Sequence, residues 1–276
     1  MKWVKKSLRN WWVHLILFTG SLIMIFPFIW MFLSAFKTEK DVFVYPPKWL
    51  PSKWTFENFF KVFELVPFGR YYLNSIIVTS AITFGQVFIA ILAAYALARL
   101  RFPGKNFVIV FLISTMIMPF QVILIPLFLI VHKFGWLDTY QGLIIPFLYN
   151  GFSIFFLRQF FLTIPKDLED AAKMDGCGYF GILFNVIIPN SKAAIGTISL
   201  FVFLTHWRSY LWPLIVTTST EMRTLPIGLK YFMEEGGAQY HWMMAASLMA
   251  IVPVLIVYIL TEKHLVKSAT LTGLKF

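Results

Sequence analysis

Residues 164–194 read IPKDLEDAAKMDGCGYFGILFNVIIPNSKAA. Thr163, just before them, can cap a short helix, Pro165 suits its first turn, and Asp167, Glu169 and Asp170 favour the positive end of its dipole. Leu168, Ala171 and Ala172 then share one face at helical spacing. The two adjacent alanines make that face flat enough for another protein's surface to approach. Gly176 and Gly178 stop this helix, and residues 179–186 can form a second before Pro189 closes the segment. Such a helix-turn-helix is what a docking element needs. Composition alone fits an ordinary amphipathic loop as well.

Outward from this segment the chain is apolar. Of its 276 residues 59% are hydrophobic and 13% charged, against about 45–50% hydrophobic in soluble domains. Six stretches, 13–36, 71–98, 107–131, 141–161, 193–217 and 241–260, approach or exceed the ~20 helical residues that cross ~30 Å of hydrocarbon. Their prolines and glycines, such as Pro27, Gly85, Pro119 and Pro126, are tolerated in a bundle that re-satisfies freed backbone groups. The expected fold is an all-α membrane protein with six transmembrane helices. Residues 1–70 hold the N-terminal segment, first helix and outer loop, and 71–276 the remaining membrane domain. The basic start, with Lys2, Lys5, Lys6 and Arg9, has the outline of a signal peptide. The stretch 13–36 is too long for one and lacks a small-residue cleavage site, so it is expected to remain as the first span.

The lysines and arginines set the orientation. The short segment ARLRFPGK, residues 98–105, carries three basic residues and no acid, and places the junction of the second and third spans inside. Both termini are then cytoplasmic, and 163–192 is the single long inner segment. The outer loop 37–70, with PPKWLPSKW, has enough Pro and Trp for an ordered cap on the membrane surface. A net charge of +11 does not point to nucleic acid, because the basic residues lie between or beside apolar runs.

Sequence motifs for chemistry are missing. No glycine-rich loop ends in Lys-Ser/Thr to cradle phosphates, and there is no His-Glu-x-x-His, Cys-x-x-Cys or Gly-x-Ser-x-Gly. His14, His132, His206, His241 and His264 are scattered, and Cys177 is the sole cysteine. The span interiors hold no carboxylate, as a proton-coupled carrier would need, and no inverted repeat is visible. Arg208, in THWRSYLWP, is the one cation placed inside a span, either structural or a substrate contact. Tyr149, Asn150, Trp207, Tyr210 and Trp212 can supply the aromatic faces and polar groups of a sugar pathway, although such aromatics more often pack.

DAAKMDG at 170–176, followed by VIIP at 186–189, resembles the EAA loop of binding-protein-dependent ABC importer permeases. That pattern is Glu-Ala-Ala, three residues, Gly, nine residues, then Ile-x-Leu-Pro, and Asp170, Ala171, Ala172, Gly176, Val186, Ile188 and Pro189 hold those places. YALARLRFPGK, LRQFFLTIPKDLEDAAKMDG, LWPLIV, TLPIGL and MMAASLMAIVPVLIVY look like the MalG-type subunits of carbohydrate importers. Where those often have Asn after the tryptophan of the fifth span, this chain has Arg208.

The resemblance implies a type I (MetI-like) permease in a bacterial inner membrane, for oligosaccharides or, alternatively, a glycerol phosphate ester. It implies a MalF-type second permease, two ABC ATPase subunits below and an extracytoplasmic sugar-binding protein above. Glu169, Asp170, Ala171, Ala172, Asp175, Gly176 and Pro189 would couple to one ATPase. No cofactor would be bound by this chain, ATP and Mg²⁺ being held by the ATPases.

Overall fold

The computed structural model describes residues 11–234 and 239–272, and among them every regular element is helical. The basic start, with Lys2, Lys5, Lys6 and Arg9, lies outside the described residues. The chain forms two compact units. One runs to Phe68 and includes Gly228–Val252, and the other comprises Gly69–Ile227 and the chain from Pro253.

In the first unit the helix Trp11–Ala35 has 25 residues and is about 37 Å long at 1.5 Å per residue, enough to cross hydrocarbon. Its end is capped from a distance: Asn58 Nδ2 donates to the carbonyls of Ala35 and Lys37, both at 2.8 Å. Lys37 is fully buried. Its ammonium lies 4.0 Å from the centre of the Trp30 ring and donates to the Lys48 carbonyl at 2.6 Å, so its charge is held by a ring face and a peptide dipole. Buried Asp41 accepts from the Ser52 amide at 2.9 Å and the Ser52 hydroxyl at 2.8 Å, and pairs with Lys48 at 3.3 Å. The segment PPKWLPSKW is thereby folded back onto the start of its own loop.

Hydrogen bonds from Ser52, aided by Lys48, hold the Asp41 carboxyl below its ordinary range. A depressed carboxylate stabilises the fold above its unfolded pKa of ~4, and that contribution is lost as pH falls through the folded value. Asp41→Ala is expected to cost about 2 kcal/mol of local stability, read as faster proteolysis between Lys48 and Lys53 at pH 7. The difference from the parent should shrink at pH 3.

The second unit is built on Phe68–Arg99, a helix of 32 residues. One side carries Val78, Ile82, Ala90 and Ala94, which form a single core with Leu157, Phe161, Ile182, Leu183, Ile187, Ile198 and Trp212. Buried polar pairs fix the register of this packing. Gln86 Nε2 donates to Ser153 Oγ at 2.8 Å. Asn74 donates to the carbonyls of Glu221 and Arg223 at 2.7 and 2.8 Å and accepts from Tyr140 Oη at 2.8 Å. At Gly151 a Cβ would lie 3.0 Å from Thr115 Oγ1 and 3.2 Å from the Leu112 carbonyl, so glycine lets Gly151–Thr163 approach Lys105–Ile117.

Three of the expected spans are continuous helices: Trp11–Ala35, Phe68–Arg99 and Tyr240–Glu262. The others are bent. Lys105–Ile117 and Phe120–Lys133 meet at 101°, and Tyr140–Phe147 and Gly151–Thr163 at 41°. Counting each bent pair as one span gives up to six. The first bend has a local cause: Pro119 drives Met118 out of the helical region, to φ −74°, ψ 119°. The stretch 193–217 also departs from one helix. Lys192–Trp207 ends at Arg208, and Leu211–Val216 follows as a separate helix. The third bend, 80°, lies at Ser191 between Tyr179–Asn190 and Lys192–Trp207.

Candidate functional site

The segment 164–194 forms the helix Lys166–Met174, a reversal, and a second helical run from Tyr179 to Asn190. Its start differs from the sequence reading. Thr163 is the last residue of Gly151–Thr163, its hydroxyl donating to the Phe160 carbonyl at 2.7 Å, and Pro165 is the N-cap residue. Pro165 has no amide hydrogen to lose, and its fixed φ starts the helix without a side-chain cap. Asp167 and Glu169 lie in the first turn and Lys173 in the last, complementing the dipole. Exposed Asp170 pairs with Lys173 at 2.8 Å, and the hydrogen bond from Lys173 lowers its carboxyl pKa.

Gly176 makes the reversal. Its φ is +81°, the Cys177 amide donates to the Ala172 carbonyl at 2.9 Å, and the Gly176 amide donates to the Lys173 carbonyl at 2.9 Å. These are the paired bonds of a Schellman ending, satisfying carbonyls the helix leaves open. The second run does not stop before Pro189. It widens to a π turn at Leu183–Ile187 and continues through Ile188–Asn190. Pro189 therefore lies inside the run, directly after the π turn, rather than beyond its end.

The face expected to be shared by Leu168, Ala171 and Ala172 is divided. Leu168, Asp170, Ala171, Asp175 and Gly176 are exposed, and Met174 is 90% exposed. Ala172 points inward at 9% exposure and belongs to the core with Phe161, Ile164 and Ile182. Glu169 is buried beside it. These two cannot offer the flat outer surface that adjacent alanines suggested; Leu168, Ala171, Met174 and Asp175 form the accessible face.

Glu169 is buried because Arg99 meets it. The guanidinium Nε lies 2.5 Å from Glu169 Oε1, with the side chains 5% and 7% exposed. The contact is an ion pair rather than an aligned hydrogen bond. Arg99 Nη2 also donates to the carbonyls of Phe161 at 2.8 Å and Ile164 at 2.6 Å. Sequence reading used Arg99 only as a marker of sidedness. No local signal singled it out, because an arginine at the end of a long apolar helix can reach the interface without a partner. The pair itself lies on the wall of an open cavity of about 740 Å³ between the 98–105 segment and the helix, together with Arg101, Lys105, Lys166, Lys173 and Tyr179.

The residues expected to line a substrate pathway do not assemble into one pocket. Trp212 is 1% exposed, and its Nε1–H donates to the Gly142 carbonyl at 3.0 Å. Trp207 is buried and stacked on Phe203 at 5.7 Å. Asn150 caps Gly151–Thr163 by accepting from the Ser153 amide at 2.9 Å. Half-exposed Tyr149 lies 3.1 Å from Thr115 Oγ1 through its hydroxyl, and half-buried Tyr210 precedes Leu211–Val216. Arg208 is exposed, in the break after Trp207, and not inside a helical span. The void lined by Ser75, Thr79, His206, Ser209, Trp212 and Thr224 is about 10 Å³, the scale of one water and too small for a sugar. Among the described residues no group of His, Cys, Asp and Glu is placed to hold a metal ion.

The binding-protein-dependent transport system inner membrane component family matches over residues 86–268. The chain is 33% identical over 258 residues to the arabinooligosaccharides transport system permease protein AraQ of Bacillus subtilis (strain 168), covering 92% of each. It is 30% identical over 263 residues to the sn-glycerol-3-phosphate transport system permease protein UgpE of Yersinia pestis bv. Antiqua (strain Antiqua), covering 92% of this chain and 94% of that protein. A chain of a bacterial ABC transporter involved in the import of the acidic polysaccharide alginate superposes with a TM-score of 0.83 at 26% identity, covering 95% of this chain and 98% of that one. A second match, from the alginate transporter in complex with an alginate pentasaccharide-bound periplasmic protein, has a TM-score of 0.67 at 14% identity, covering 93% and 94%, and speaks to fold alone.

Proposed function

Since the chain belongs to the family of binding-protein-dependent transport system inner membrane components, we propose that it pairs with a second permease to pass oligosaccharides through a bacterial inner membrane. It is a multi-pass transport subunit of an ABC importer. In this reading two ATPase subunits supply the energy, holding ATP and Mg²⁺, and an extracytoplasmic binding protein delivers the sugar. The observation that carries it is the helix Lys166–Met174: exposed on Leu168, Ala171, Met174 and Asp175, anchored behind by Glu169 and Ala172, and ended by a left-handed glycine. Such an element can take a push from a protein below and resist it from behind.

A second permease is supported by the break at Met118, which is 54% exposed. Irregular backbone at membrane depth is tolerated only when covered by protein or facing water. The oligosaccharide reading is supported by the names of the arabinooligosaccharide relative and the alginate transporters. Exposed Arg208 favours a second reading, an anionic cargo such as an acidic saccharide or glycerol phosphate ester.

Co-expression with a neighbouring permease, ATPase and binding protein is the test. A stoichiometric complex is expected, with ATP hydrolysis stimulated by binding protein loaded with oligosaccharide; stimulation only by glycerol phosphate would overturn the sugar assignment. No ATPase in the purified complex would overturn the whole reading. The orientation proposed from the basic segments places a reporter fused after Phe276 in the cytoplasm and one inserted near Lys53 outside. Both reporters on one side would be incompatible with it.

A further inference from the structure

We propose that Arg99 is the positioning residue through which movement of the helix Lys166–Met174 reaches the membrane helices. The proposal rests on that helix being the ATPase dock. One guanidinium holds three elements: it ends Phe68–Arg99, donates to the Phe161 and Ile164 carbonyls at the end of Gly151–Thr163, and pairs with Glu169 on the docking helix. Arg158 supplies a reciprocal tie, its Nε donating from Gly151–Thr163 to the Leu97 carbonyl at 3.2 Å. The ends of two membrane helices are therefore fastened twice, and one of those fastenings continues into the docking helix.

Only arginine has a planar fork with five donors that can meet two carbonyls and a carboxylate together. Lysine is a single point of charge. With the Arg99 and Glu169 side chains 5% and 7% exposed, separation would leave a charge buried without its counterion, so displacement carries both residues along. Ala172 packs the inner side of the helix against Phe161 and Ile164, but toward residues 98–105 the 740 Å³ cavity, lined by Arg99 and Glu169 themselves, leaves the ion pair as the link. The ion pair crosses the edge of that opening.

A merely structural staple and a coupling link differ in the ratio of transport to ATP hydrolysis. The decisive variant is Arg99→Met/Glu169→Leu, which removes both charges and fills the site with apolar groups, an exchange buried ion pairs often tolerate. In the full complex, reconstituted with binding protein, it is expected to assemble in normal amount and hydrolyse ATP. Sugar carried per ATP should fall at least tenfold. Arg99→Lys should lie between this variant and the parent, keeping the charge opposite Glu169 but losing the fork. A parental ratio in the double variant overturns the proposal, and so does failure of the double variant to assemble, which would make the pair structural only. The underlying dock is tested separately in the parent, by cross-linking Cys177 to cysteines placed along the ATPase groove of a partner without other thiols. Absence of every cross-link overturns the dock itself, whatever the ratio in the double variant.

Discussion

Gly176→Val is expected to reduce transport roughly 5- to 30-fold while leaving membrane insertion and pairing with the second permease intact. The size follows from the backbone. At φ +81° an L-residue pays about 1–2 kcal/mol, and a β-branched one is the worst case. Space is not the issue, because a Cβ at Gly176 meets nothing within 4 Å. The cost is therefore conformational, and the series should rank by tolerance of the left-handed region: Asn close to the parent, Ala intermediate, Val lowest. Uptake and co-purified ATPase measured across the series check this. A loss that followed side-chain volume instead would point to a steric contact at the reversal.

Ala172→Trp is expected to do more damage, by a different route from Ala171→Trp. Ala172 is 9% exposed and part of the core, so an indole there overpacks it at about 3 kcal/mol or more. That energy amounts to roughly a hundredfold in the population of the correctly seated helix. The permease should melt lower and lose its ATPase together. Ala171 is exposed, and a tryptophan there should leave the melting temperature unchanged while still preventing ATPase capture. Equal melting of the two variants would show that Ala172 is not held as described.

The difference between these alanines was not legible in the sequence, and the reason is Glu169. A helical-face argument turns a carboxylate toward water and places Ala172 on an outer face with Leu168. The burial of Glu169 is compensated by Arg99, distant in sequence and on another helix, and periodicity within one segment carries no information about such a partner. The reversal at Gly176 was legible because it is local: a glycine just past a helical run is sufficient to mark it. The apolar stretches located the membrane helices well for the same reason.

Bends were less legible, since hydropathy records composition and not direction. Pro27, Pro126 and Pro253 lie inside helices, whereas Pro119 breaks one. Arg208 was assigned to a span because apolar residues resume after it, yet the helix ends at Trp207. Trp207, Trp212 and Asn150 have the chemistry of a sugar site, and in the structure Trp207 stacks on Phe203, Trp212 donates to the Gly142 carbonyl and Asn150 caps a helix.

The 101° turn at Pro119 also bears on how the chain is made. Lys105–Ile117 has 13 residues and Phe120–Lys133 has 14, about 20 Å each, so neither crosses ~30 Å of hydrocarbon alone. A nascent chain leaving the ribosome presents 105–133 to the insertion machinery as one apolar stretch, long enough only if its halves enter together. Broken backbone cannot lie bare among acyl chains. The kink is therefore expected to need neighbouring helices or a partner beside it, and a chain made without them would leave broken backbone uncovered.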